Sequence, residues 1–250
     1  MRGAVPQGIV SQVIAIGGGD LVTRETYEFD QLIASSSGRA RPWTLCIAAA
    51  ANDTPDACNA FGNIYGDGLR CRTDYLRVLK GEPGGDDFQR KIARNEVFYF
   101  CDGDLSLLME AVEKFELAPY LQEAYDRGAI FGGVGAGAAA LGLLGFAGDK
   151  GTPIAGLGVA PVGIGCIPEG KKVKAADYAP VFKDHAKSPC FLLGHMTALN
   201  ILGSDYRILS KKANGSADCI IGGESYQVAS SVEYAPLHTI SAGEKSKQVV

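Results

Sequence analysis

Residues 129–144, AIFGGVGAGAAALGLL, pass from a short apolar run through G-V-G-A-G into an alanine-rich run. Strand, glycine turn and helix in that order are the frame of a nucleophile elbow, G-x-S-x-G, whose glycines permit a sharp bend that exposes the middle side chain at a helix start. The middle residue here is Gly135, so the frame has no hydroxyl or thiol with which to attack a carbonyl. The same glycines also allow a helix to pack closely on a strand, and both readings stand at this stage. A G-x-G-x-x-G dinucleotide fingerprint fits worse. Ala138 stands where its third glycine would be, and in the other glycine turn, Gly17 to Gly19, Val22 does. No cofactor is expected.

Other residues could supply the missing chemistry. Cys101 and Cys166 end apolar runs, and a thiolate at either could act as a displaced nucleophile if a histidine activated it; the alternative is that both are packing residues. Asp102 and Asp104 sit two apart on one turn, as a ligand-contacting acid pair or as solvated carboxylates. His185 and His195 are ten apart, with Asp184 beside the first, a spacing that matches no standard zinc set. His238 lies near the tail, and no metal is expected. The basic segment from Lys171 to Lys187 is a solvated loop or a surface for an acidic peptide end.

The elements that must position these residues show in the apolar runs Val13 to Ile16, Trp43 to Ala48, Val97 to Phe100 and Ala129 to Phe131. None alternates apolar with polar, as expected of strands covered on both faces in a parallel sheet. Leu105, Leu108, Met109 and Val112 make one helix face, with Asp104 or Ser106 as N-cap. Pro119 opens a second helix through Leu121 and Ala124 to Tyr125, closed by Gly128. This alternation predicts a three-layer, doubly wound, mostly parallel α/β sheet with ligands at the carboxyl ends of its strands. Beyond Asp149 the pattern loosens; short strands at Tyr206 to Leu209 and Cys219 to Ile221 are expected as additions to one domain spanning 1–250. The ends, about 1–8 and 241–250, read as frayed.

Composition excludes several classes. The chain has 250 residues, 24 Lys and Arg against 28 Asp and Glu, and a net charge of −4, which gives no electrostatic footprint for nucleic acid or an anionic membrane. Seven cysteines without a C-x-x-C pair fit a reducing compartment, hence a cytoplasmic location. The uncharged stretch Gly128 to Gly148 has the length of a membrane span, but eight of its 21 residues are glycine. Each costs about 1 kcal/mol against alanine in a helix, so a strand, a turn and a helix are the better use of it.

The stretch YFCDGDLSLLMEAVEKFELAPYLQEAYDRGAIFGGVGAGAAALG resembles the central block of the peptidase E and cyanophycinase family of serine peptidases. There a G-G-N turn, a helix ending like L-x-E-A-x-x-x-G, and a strand leading to G-x-S-A-G-A follow in this order. Looser likeness extends to VIAIGGGD, to CIAAAAND with NAFGNIYGDGL, and to GLGVAP and HMTALN, so it covers most of the chain. The resemblance implies a class I glutamine-amidotransferase-like (flavodoxin-like) fold. It also implies metal-free hydrolysis of short peptides, aspartyl dipeptides or cyanophycin by a Ser-His-Asp/Glu apparatus.

Carried over position by position, the resemblance puts the family's serine on Gly135 and its oxyanion amides on Gly103 and Ala136. The two glycines usual before Gly103 are here Cys101 and Asp102, which brings a carboxylate to where negative charge must develop. The acid of an N-D-x-P-I segment would fall near Gly151, with Asp149 close by, and the histidine near Gly165 or Cys166; no histidine stands there. The expectation is a catalytically silent relative that binds a small peptide or amino-acid-like ligand through Asp102, Gly103, Asp104, Gly135 and Ala136. The alternatives are an active hydrolase using Cys101 or Cys166, and a structural component of an oligomer. The sequence leaves the oligomeric state open.

Overall fold

The computed structural model describes residues 10–81, 85–147, 152–171, 174–178, 180, 188–212 and 215–240. Both expected frayed ends, Asp149, Gly151, Asp184, His185 and most of the basic segment lie outside these residues. In chain order the elements are β1 (Gln12–Ile16), α1 (Tyr27–Ser35), β2 (Trp43–Ile47), α2 (Pro55–Phe61), β3 (Arg72–Leu76), α3 (Gly85–Arg94) and β4 (Val97–Phe100). Next come α4 (Leu105–Lys114), α5 (Ala118–Asp126), β5 (Ile130–Val134), α6 (Ala136–Ala139), β6 (Leu144–Ala147), β7 (Ile154–Ala155) and β8 (Gly163–Cys166). The rest are α7 (Ala175–Tyr178), β9 (Cys190–Leu193), β10 (Thr197–Leu202), β11 (Asp205–Ser210), β12 (Ser216–Ile221), β13 (Glu224–Ala229) and β14 (Ala235–Pro236). A π-helical segment, Gly62–Gly68, follows α2 directly.

The main sheet runs β14-β11-β10-β1-β5-β4-β2-β3. Its centre, β1, β5, β4, β2 and β3, is parallel, and β10, β11 and β14 extend it antiparallel. Both faces are covered, which is why the apolar runs do not alternate. Ile14, Ile16, Cys46, Tyr99, Ile130 and Val134 pack with Phe29 and Ile33 of α1 and with Phe61. The residues between them, Val13, Ala15, Leu45, Ile47, Phe98, Phe100 and Phe131, pack with α4, α5 and α6 on the other face. Phe98 and Phe131, paired across β4 and β5, stack with ring centroids 4.8 Å apart. Asp104 caps α4 as expected, its Oδ1 accepting from the Ser106 and Leu107 amides at 2.8 and 3.2 Å.

One expectation needs correction. The region after Asp149 contributes more than added strands: β13-β12-β9-β8-β6-β7 form a second, six-stranded sheet. Phe146, Ala175, Tyr178, Cys190, Leu192 and Ile220 make a small core of its own. Its inner residues, among them Ile164, Phe191, Leu193 and Cys219, join the main core, so the two sheets share an apolar interior. The alanine-rich helix is only the four residues of α6, because the chain turns back at Gly142, where an added Cβ would meet two carbonyl oxygens at 2.8 Å. Among the described residues no helix is long and apolar enough to cross a membrane.

Candidate active-site cleft

The turns after β1, β4 and β5 meet at the carboxyl edge of the main sheet. Gly135 follows β5 with φ 54° and ψ −117°, a left-handed conformation that L side chains rarely adopt, and its N–H donates to the Ile16 carbonyl at 2.9 Å. The bend is held by close backbone approach: a Cβ on Gly137 would lie 2.2 Å from the Phe100 carbonyl oxygen. Elbow geometry and tight helix-on-strand packing are therefore both present, and neither reading of the glycines displaces the other. The turn after β4 is tied down where the Asp104 N–H donates to the Ala50 carbonyl at 2.9 Å.

Between these turns stands Asp102. Its Oδ1 accepts from the Gly103 N–H and the Ala136 N–H, each at 2.8 Å. Two main-chain amides from separate turns thus converge on one oxygen, the arrangement that in acyl transfer holds the tetrahedral oxyanion. Here the charge they hold belongs to the protein. The carboxylate also fills the space above Gly135: a Cβ there would lie 2.0 Å from Oδ1 and 2.6 Å from Oδ2. Asp102 thus takes up both amides and the space that a side chain at position 135 would need. The neighbouring Asp104 has a different task, since its Oδ1 caps α4.

Beside Asp102 lies a cavity of about 270 Å³ lined by Gly19, Asp20, Leu21, Val22, Tyr99 and Cys101, with Ala57, Ala60 and Val134. A larger hollow of about 510 Å³, lined by Asn95, Glu96 and Gly128 among others, opens at the amino ends of β4 and β5, away from these turns. The rim from Gly19 to Val22 was not singled out in the sequence, where Gly17 to Gly19 read only as a failed nucleotide turn. What could have marked it is its place after the first strand of a doubly wound sheet.

The candidate nucleophiles separate. Cys101 is buried in the cavity wall, with its Sγ 3.5 Å from the Cys46 Sγ. Cys166 ends β8 and is buried; desolvation, with the Asp102 charge adding to it, pushes its thiol well above the ordinary value. That disfavours the thiolate a nucleophile needs. His195 comes to the carboxyl edge of β1, its Nδ1 3.4 Å from where a Gly18 Cβ would be, and its Nε2 is 2.9 Å from Glu25 Oε1. Hydrogen bonding to His195 holds the Glu25 carboxyl below its usual range. No spacing rule links residues 170 apart, so only the fold reveals this pair. His238 is exposed beyond β14, at the far end of the sheet from β5. Among the described residues no three His, Cys, Asp or Glu side chains gather as a metal set.

Comparison with known proteins bears on the fold that carries these turns. The sequence model described as "Peptidase family S51" matches residues 13–156. "Uncharacterized peptidase YgaJ" of Bacillus subtilis (strain 168) is 26% identical over 130 residues, 52% of this chain and 55% of that protein. The chain thus aligns with about half the length of that curated relative. The crystal structure of a peptidase from an acI-B1 Actinobacterium superposes with a TM-score of 0.70 at 19% identity, over 92% of this chain and 98% of that one. That of a putative peptidase E protein from Listeria monocytogenes EGD-e does so with 0.55 at 11% identity, over 81% and 100%. These two likenesses show the fold.

Proposed function

We infer that this chain, which belongs to peptidase family S51, is a catalytically silent member whose former active-site cleft binds a small peptide or amino-acid-like ligand. The observation that carries the reading is the Asp102 carboxylate held by the Gly103 and Ala136 amides above a residue without a side chain. Serine enzymes stripped of triad members keep roughly 10³ to 10⁴-fold acceleration from binding and the oxyanion hole. Working enzymes reach about 10⁶-fold or more. Here even the residual part is blocked, because the amides already hold a negative oxygen and a substrate carbonyl arriving there meets like charge.

Binding remains compatible with the same cleft. Leu21, Val22, Ala57, Ala60 and Val134 offer an apolar wall for one side chain, and Asp20 and Asp102 add acidic residues to the lining. A ligand ammonium group complements them, as the amino end of a dipeptide would.

Incubation with aspartyl dipeptides and a cyanophycin-type polymer is expected to release no amino acid. A fluorophosphonate probe should leave the protein unlabelled, and calorimetric titration with the dipeptides should show binding that weakens in Asp102→Asn. Sustained amide hydrolysis that disappears in Cys101→Ala or Cys166→Ala would overturn the reading in favour of a displaced nucleophile.

A further inference from the structure

Three cysteines gather on the α1 and α2 side of the main sheet, behind the cavity wall. Cys46 of β2 is fully buried, and its Sγ lies 3.5 Å from that of Cys101, the first residue after β4. Cys58, on α2, is half-buried and interacts with the same Cys46 thiol. Its neighbours in the helix, Ala57 and Ala60, line the cavity together with Cys101. One end of the cluster therefore faces outward, its centre is dry, and its other end opens on the cleft. The silent-site reading makes no use of it.

The electrostatics separate Cys58 from Cys46. Hydrogen bonding with Cys46 brings the Cys58 thiol down to about 7; Arg77 helps, whereas desolvation and Asp53 oppose. Cys46 is held well above its ordinary value by hydrogen bonding with Cys101 and Cys58, then by burial. Burial pushes up Cys71, Cys166, Cys190 and Cys219. Cys58 is thus the half-buried member of the pair and the one shifted toward its thiolate, whereas Cys46 beside it is dry and shifted the other way. Peroxide-reactive cysteines show this pattern, an accessible low-pKa thiol next to a resolving one.

We propose that Cys46, Cys58 and Cys101 form a relay sensitive to hydroperoxides, whose oxidation ends in an internal disulfide that includes Cys46. A lone pair of the Cys58 thiolate attacks the terminal oxygen of the hydroperoxide and the O–O bond breaks. The alkoxide or hydroxide that leaves takes a proton from solvent, the equivalent of the one Cys58 had given up, and Cys58 becomes a sulfenic acid. The Cys46 sulfur then attacks the Cys58 sulfur and expels hydroxide, which takes up the Cys46 proton and leaves as water. Two thiols lose two electrons, and the peroxide gains them. Cys101 can next displace Cys58 by thiol–disulfide exchange, moving the bond to Cys46–Cys101 and returning Cys58 as a thiol. That closes 3.5 Å to the ~2.05 Å of a disulfide and draws on the cleft wall, so the oxidation state reports into the cavity. The proposal is independent of whether the site above is silent.

The full chain, reduced and then exposed to a few equivalents of hydrogen peroxide, is alkylated and mapped by mass spectrometry without reduction. The expected product is lighter by two hydrogens and contains a cross-linked peptide joining Cys46 to Cys58 or Cys101, reversed by dithiothreitol. Cys58→Ser should slow its formation at least tenfold, and Cys71→Ser should leave it unchanged. A disulfide that omits Cys46, Cys58 accumulating as sulfinic acid with Cys46 free, no linkage at all, or an unchanged rate in Cys58→Ser would each overturn the relay. The map on the unaltered protein needs no substitution in the buried strand.

Discussion

A serine placed at position 135 would meet two obstacles of different origin. The backbone there has φ 54°, which costs an L residue on the order of 1–3 kcal/mol. The new Cβ would also press on Asp102 Oδ1 at 2.0 Å, so either the carboxylate leaves its two amides or the elbow moves. Removing the carboxylate cures the second fault and leaves the first. Gly135→Ser is therefore expected to destabilise by about 2–4 kcal/mol. Combined with Asp102→Gly it should cost at least about 1 kcal/mol less than the sum of the single changes. Urea unfolding of the four proteins checks this; strict additivity would mean that the two residues do not share that space. The sequence allowed half of the picture. A tight bend without a side chain at Gly135 and an acid in the turn after β4 were legible, because glycine spacing marks the bend and the residue types stand in the sequence. That the acid would turn back onto both amides was not, since a side-chain direction on a turn follows from the neighbouring loop.

Among the elements, α1 is fastened by a group that sequence reading passed over. Asp30 is buried, accepting from Thr26 Oγ1 at 2.8 Å and from the Tyr65 hydroxyl of the π-helical segment at 3.0 Å. Burial raises its carboxyl from 3.8 to about 7, although both hydrogen bonds pull the other way. Because the folded value lies above the unfolded one, the stabilisation from this group is fully present below about 3.8 and fades as pH rises to about 7. Asp30→Asn, neutral throughout, should lack that fade. Relative to it the native protein should lose stability between pH 4.5 and 7.5, by an upper bound on the order of 4 kcal/mol. Urea unfolding at both values tests this, and a constant difference between the two proteins would refute it. Strands β1, β2, β4 and β5 were legible because both of their faces are apolar. The second sheet was not, and β8 shows why. Gly163 and Gly165 are buried, yet they carry no side chain to signal it; a Cβ on Gly165 would lie 2.3 Å from the Phe146 ring. Space is filled there by a neighbour's bulk, which no periodicity along β8 can record.

At the scale of the whole molecule, residues 13–156 carry every turn that meets at Asp102, and they match the family by themselves. They do not make a complete sheet. Every residue of β1 is buried, and one of its two edges is covered only by β10, which pairs Gln12 with Leu202 and Ile16 with Ala198. The face behind α6 likewise depends on β8, whose parallel pairing with β6 joins the two halves of the second sheet. A fragment ending at residue 156 would expose an apolar edge strand with its backbone donors and acceptors unpaired, a template for association. It would also uncover the side of α6 that now faces Ile164 and Cys166 in the main core. The carboxyl-terminal strands thus hold the elbow in place although none of them contributes a residue to the Asp102 contact. Such a fragment is expected to be insoluble, or soluble without a cooperative urea transition, whereas the full chain unfolds in one. Co-expression with the remaining residues should recover folded material, because the missing strands pair through main-chain bonds that need no covalent link between β7 and β8. A fragment that melts cooperatively by itself would place the folding unit inside the matched region and make the second sheet an accessory.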